Sequence, residues 1–158
     1  MEISPWTKSQ RKLRLFGRSG MASKVERVII DTNLWISFLI TKNYKKLDNK
    51  IRSGKVKLLF SLELIEEFLT VANRPKFKKY FGKGDLELLL DLFDVYGELI
   101  DVKSKVKICR DPKDDFLFAL AKDSQANYLV TGDKDLLTIN KFENTKIIEF
   151  SDFIKKIK

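Results

Sequence analysis

Two hydrophobic periods take turns along this chain, a β-branched run and a longer helical spacing, and the points where one yields to the other mark its elements. Val28, Ile29 and Ile30 form a run that stops at Asp31, and an apolar stretch resumes from Leu34 to Ile40. The first predicts a buried strand and the second a buried helix. Leu47 and Ile51 stand four apart among lysines, which predicts an amphipathic helix over 43–53 ended by Gly54. A second strand is expected at 56–60. Ser61 then caps a helix that carries Leu62, Ile65, Leu69 and Ala72 toward one face, and Pro75 closes it.

A short basic and aromatic helix is expected at 75–81, broken by Gly82 and Gly84, with an apolar-rich helix over 85–96. A third strand at 98–102 and a short extended piece at 106–109 lead into Arg-Asp-Pro-Lys-Asp-Asp. Pro112 places the start of the next helix near Lys113 or Asp114. That helix is apolar on most sides and therefore buried. A fourth strand over 127–131, a helical turn at 136–138, a last strand at 147–150 and a terminal helix from 151 complete the chain. Strands separated by helical stretches, with no two-residue hairpin turn in view, imply a parallel sheet of four to five strands in a three-layer α/β/α sandwich.

Residues 1–24 fit none of these patterns. They hold six basic side chains and one acid, so +5 of the formal net charge of +9 comes from this segment. We read 1–24 as a basic arm, flexible by composition, and 25–158 as one domain. Met21 offers a second place at which the protein could start. A sequence pI of about 9.5 makes nucleic acid the leading partner class. Cys109 stands alone and there is no histidine, which excludes an intramolecular disulfide, a Cys/His zinc site and a histidine-based triad. The longest apolar run falls far short of the ~18 residues of a membrane span, so no membrane partner and a cytoplasmic location are expected.

The acids are distinctive for where they fall. Asp31 ends the first strand, Glu67 lies on the helix after the second, Asp114 and Asp115 open the helix before the fourth, and Asp133 and Asp135 follow that strand. In an open parallel sheet the strand-to-helix edges share one side, where ligands bind. Each acid taken singly is equally a helix cap, a turn former or a surface charge. Brought together they would repel one another unless a cation intervened, and an oxygen-only set favours Mg²⁺ or Mn²⁺.

The segments VIIDTN, SLELIEEFLTVANRPKF and DPKDDFLFALAKDSQANYLVTGDKDLL, taken in order, resemble the PIN-domain family. They are most similar to its toxin components of toxin–antitoxin pairs, the VapC-like ribonucleases. The resemblance implies a parallel α/β/α sandwich and a metal-dependent endoribonuclease. It also implies an RNA substrate, a cognate antitoxin protein and a homodimer as partners. Carried over residue by residue, it implies Asp31, Glu67, Asp115 and Asp133 as catalytic and metal-holding acids, with Asp114 and Asp135 as additional metal-binding groups. Glu66 would point roughly 100° away around its helix. Ala119 matches the small residue four positions after the third acid, and Asn33 and Thr131 match polar companions of the site.

RNA would also need cations around an acidic centre. Arg74, Lys76, Lys78 and Lys79, interleaved with Phe77, Tyr80 and Phe81, are the candidates, because charge beside stacking rings suits single strands. Two rival readings remain at this level. One is a PIN-fold module that binds RNA or protein without cleaving. The other is an aspartate-based phosphotransfer domain, disfavoured because Asn33 stands where that chemistry wants a second aspartate.

Overall fold

The computed structural model describes residues 24–42 and 45–157. The basic arm therefore lies outside the described residues, apart from Lys24. Among the described residues one six-stranded sheet runs through the molecule. Its strands are β1 (Glu26–Ile30), β2 (Val56–Phe60), β3 (Gly97–Leu99), β4 (Tyr128–Val130), β5 (Lys141–Phe142) and β6 (Thr145–Ile148), in the order β3-β2-β1-β4-β6-β5. All neighbouring pairs are parallel except β5 with β6.

Among the described residues there are eight helices between and after the strands. They are α1 (Thr32–Thr41), α2 (Lys45–Arg52), α3 (Leu62–Ala72), α4 (Pro75–Lys78), α5 (Lys83–Tyr96), α6 (Asp115–Ser124), α7 (Lys134–Leu137) and α8 (Phe150–Lys156). The chain steps outward from β1 to β2 to β3 and then returns past β1 to β4. Right-handed crossovers therefore place α1 to α5 on one face and α6 on the other, which is the three-layer architecture expected. None of the described helices is long and apolar enough to cross a membrane.

The sheet has one strand more than the sequence pattern suggested. Phe142 and Thr145 face each other across Glu143 and Asn144, a two-residue hairpin turn with Glu143 at φ 49°. Glutamate carries no signal for that backbone region, so the turn is invisible without its partner strand. The face of α3 also needs correction. Leu64, Phe68, Val71 and Ala72 are its buried residues, whereas Leu62 is 63% exposed. Leu62 is the first helical residue after the Ser61 cap, where the helix has just emerged from the sheet edge and has nothing above it.

Burial follows the parallel topology: β2 is buried at every position and β1 at its last three. Trp35 from α1 anchors an aromatic cluster, with its ring centroid 4.6 Å from Phe93 and 6.1 Å from Phe60. Gly97 sits beneath that cluster. A Cβ there would come within 2.5 Å of the Phe93 carbonyl oxygen and 2.8 Å of the Phe60 ring, so only glycine lets α5 turn directly into β3. Lys57 is a charged exception within the largely apolar interior. It is 8% exposed, its Nζ has no hydrogen-bond partner, and burial pushes its pKa down. The neighbouring Arg27 is better served, donating to Glu98 at 2.6 Å and to the Ser124 carbonyl at 3.0 Å.

Candidate active site

β1 and β4 are adjacent although three strands apart in chain order, because the chain leaves β1 toward β2 on one side and reaches β4 on the other. A crevice therefore opens beyond their carboxyl ends. Asp31 follows the last residue of β1 and caps α1, accepting from the Asn33 N–H at 3.4 Å. It is only 6% exposed. Its other oxygen accepts from the Thr131 hydroxyl at 2.7 Å, and Thr131, fully buried at the end of β4, also accepts from the Asp133 N–H at 3.0 Å. One hydroxyl thus ties the turns after β1 and β4 together.

Burial raises the pKa of Asp31, against the two hydrogen bonds that lower it, and the charges of Glu67 and Asp133 raise it further. Glu67 is half-buried on α3 and accepts from the Thr32 hydroxyl at 2.7 Å. Glu66 beside it is exposed. Asp133 caps α7 by accepting from the Asp135 N–H at 2.9 Å. Asp135 is exposed, with its carboxylate 3.8 Å from Arg110. Asn33 stands exposed at the rim.

The third acid is where structure and expectation part. Residues 112–114 form a 3-10 turn, and Asp115 is the first residue of α6. Its carboxylate turns back along the incoming chain and accepts from the N–H groups of Ile108 at 3.1 Å and Cys109 at 2.8 Å, which holds its pKa down. Asp114 faces the crevice instead. Burial first, then the charges of Asp31, Asp133, Asp111 and Glu67, push its pKa up to about 6. Asp114 thus shares its surroundings with Asp31, Glu67 and Asp133, whose charges act on it, while Asp115 clamps the incoming loop. Adjacent residues leave a helix start about 100° apart, and only the path of the incoming loop decides which of them faces the crevice.

These four carboxylates act on one another through space rather than by contact. Among the described residues no three acids are drawn close enough to make a metal cage, and none of the ion pairs involves any of the four. Their chemistry fits a hard divalent ion: only oxygen donors, with a mutual repulsion that a cation would relieve. Cys109 is no rival donor, since burial and the neighbouring Asp115, Asp114 and Asp111 push its thiol up to about 12.

A groove of about 340 Å³ opens beside Glu67, lined also by Glu63, Glu66, Thr70, Lys113 and Phe116. Sequence reasoning did not assign roles to Thr32 or Lys113. Thr32 could have been found from its place next to Asp31 at the same sheet edge. Arg74, Lys76, Lys78 and Lys79 are all exposed around α4. Lys76 lies 4.9 Å from the Phe77 ring and Lys79 5.1 Å from Tyr80. Tyr80 is exposed, whereas Phe77 and Phe81 pack against the core, so one ring of the three is open to a base.

The chain is similar to several known proteins. An uncharacterized protein of Methanocaldococcus jannaschii is 29% identical over 134 residues, covering 83% of this chain and 84% of that one. Among solved structures, a chain of VapBC2 from Rickettsia felis, bound to a DNA fragment from their promoter, superposes with a TM-score of 0.51. The match has 17% identity and covers 77% of this chain and 96% of that one. The PIN domain of human SMG5 covers 84% and 99% at 14% identity, with a TM-score of 0.47. Residues 27–135, from the start of β1 through the Asp133 turn, match the PIN domain family itself, and the chain belongs to that family.

Proposed function

We propose that the chain is a Mg²⁺- or Mn²⁺-dependent endoribonuclease that hydrolyses RNA phosphodiester bonds, and that it acts as the toxin of a toxin–antitoxin pair. The observation that carries this reading is the set of four carboxylates from four separate chain segments at the β1/β4 crevice, where the charges of Asp31, Asp133 and Glu67 add to burial in pushing the Asp114 pKa up. A divalent ion held by Asp31, Glu67, Asp114 and Asp133 would stabilise charge on the phosphoryl and leaving oxygens and make its bound water a better nucleophile.

The chain's own groups prepare that site. Thr131 fixes the rotamer of Asp31 and the backbone of Asp133 at once, and Thr32 fixes Glu67. Both hydroxyls donate, so they orient the two carboxylates that would hold a cation. Lys113 at the groove and the cations around α4 offset the repulsion between an acidic centre and a phosphate backbone. An antitoxin partner, supported by the likeness to VapBC2, and a homodimer belong to the same proposal.

Incubating the full chain with mixed single-stranded RNA, with and without Mn²⁺ or Mg²⁺, tests the reading. Cleavage should need the ion and be abolished by Asp31→Asn and by Asp114→Asn. RNA left intact with either ion would refute it. Thermal unfolding should also rise with added Mn²⁺, because an ion that binds only the folded state stabilises it.

A further inference from the structure

Between β3 and the 3-10 turn, residues 100–109 run Ile-Asp-Val-Lys-Ser-Lys-Val-Lys-Ile-Cys. The segment has the period of a strand without being one. Ile100, Val102, Ser104, Val106 and Cys109 are half-buried, while Asp101, Lys103, Lys105 and Lys107 are exposed. Two carboxylates of α6 pin it. Asp123, near the end of the helix, accepts from the N–H groups of Lys103 at 2.6 Å and Ser104 at 2.8 Å and from the Ser104 hydroxyl. Asp115, at the start, accepts from Ile108 and Cys109. Eight residues of helix rise about 12 Å, and the four steps from Ser104 to Ile108 span about 13 Å when extended. The segment is thus a strap stretched along α6 and held at both ends.

The strap climbs α6 toward Asp111 and Asp114, so its outward side chains line a path to the acid cluster. Successive lysines lie about 7 Å apart, a spacing comparable with that of phosphates along an extended single strand. Lys103 makes only a loose 3.5 Å pair with Asp101, both more than four-fifths exposed, and no ion pair among the described residues engages Lys105 or Lys107. Arg110, 85% exposed, continues the row. We propose that Lys103, Lys105, Lys107 and Arg110 form a track that takes the phosphate backbone of single-stranded RNA and leads it to the acid cluster. The inference rests on the ribonuclease reading and adds the surface along which the substrate lies. It gives Asp115 and Asp123 a positioning role, since they keep the strap straight.

The track is tested by binding of fluorescein-labelled polyuridylate to the full chain carrying Asp31→Asn, with Mg²⁺ present and salt varied. Replacing Lys103, Lys105 and Lys107 by Gln should lower the slope of log affinity against log salt by about 2, at about 0.7 per phosphate contact. That weakens binding on the order of 100-fold at about 0.1 M salt. A charge-matched triple at Lys146, Lys155 and Lys156, all exposed on β6 and α8, should leave the slope unchanged. In the cleaving protein the strap triple should raise KM and spare kcat. Equal slopes for parent and strap triple would overturn the track, as would equal losses from the two triples, which would mean net charge alone. Lysines on an unpaired extended segment also guard against strand addition, and a strap triple that binds RNA normally but gains self-association would establish that role instead. A parent that binds no RNA at any salt would refute the ribonuclease reading itself, and is told apart because the failure precedes any strap substitution.

Discussion

Asp114→Asn separates the two candidate third acids most cleanly, because the structure gives opposite signs for Asp114 and Asp115. The Asp114 pKa is raised from 3.8 to about 6, first by burial and then by Asp31, Asp133, Asp111 and Glu67. Two units correspond to about 3 kcal/mol at about 1.36 kcal/mol per unit. The group is only half-buried, and screening by solvent reduces this to about 1 kcal/mol. With the folded value above the unfolded one, the stabilising contribution is full below about pH 4 and lost as pH rises through about 6. The metal-free wild type should therefore weaken across that window more than Asp114→Asn does, since the variant keeps only the raised Asp31. At neutral pH in EDTA the variant should melt about 2–4 °C higher, yet show a smaller rise in Tm with Mn²⁺ and no cleavage.

Asp115→Ala should do the reverse. It removes the acceptor of two backbone N–H groups and should cost about 1–2 kcal/mol at neutral pH. That contribution is present above the unfolded pKa and fades as pH falls through the lowered folded value. Urea denaturation across pH for the three proteins decides the matter. If Asp114→Asn is no more stable than wild type at neutral pH, or if its pH profile runs parallel, the carboxylates do not interact as described.

Three further outcomes follow from the same geometry. Thr131→Val, nearly isosteric, should lose about 1–3 kcal/mol and most cleavage, since it strips a donor from buried Asp31 and an acceptor from the Asp133 N–H, while Thr131→Ser should restore both; chemical denaturation and RNA cleavage of the pair check this. Lys57→Met should raise stability by about 1 kcal/mol, because it removes a buried ammonium without a hydrogen-bond partner. The gain should narrow toward the unfolded lysine pKa of about 10.4, and an unchanged melting temperature at neutral pH would count against it. Starting the protein at Met21 removes five basic side chains and one acid; affinity for RNA should fall with a shallower salt slope, while cleavage at saturating RNA and the folding midpoint stay as they are.

Much of the molecule was legible along the chain because its signals are local. A β-branched run ending at Asp31, a Ser61 cap and a Pro112 start each determine structure within a turn or two, and the parallel order of strand and helix follows from them. The acids at the strand ends were legible for the same reason, since the topology sends those ends to one edge. Tertiary structure decided what depends on distant partners. Thr131 reaches Asp31 across 100 positions, and Thr32 reaches Glu67 across 35. The direction in which Asp115 turns hangs on where the strap delivers the N–H groups of Ile108 and Cys109, the buried face of α3 on where the sheet edge stops covering it, and the β5–β6 hairpin on a glutamate forced to positive φ by its partner strand. Periodicity tells which residues prefer burial or an extended backbone; it carries no information about which surface will be there to meet them.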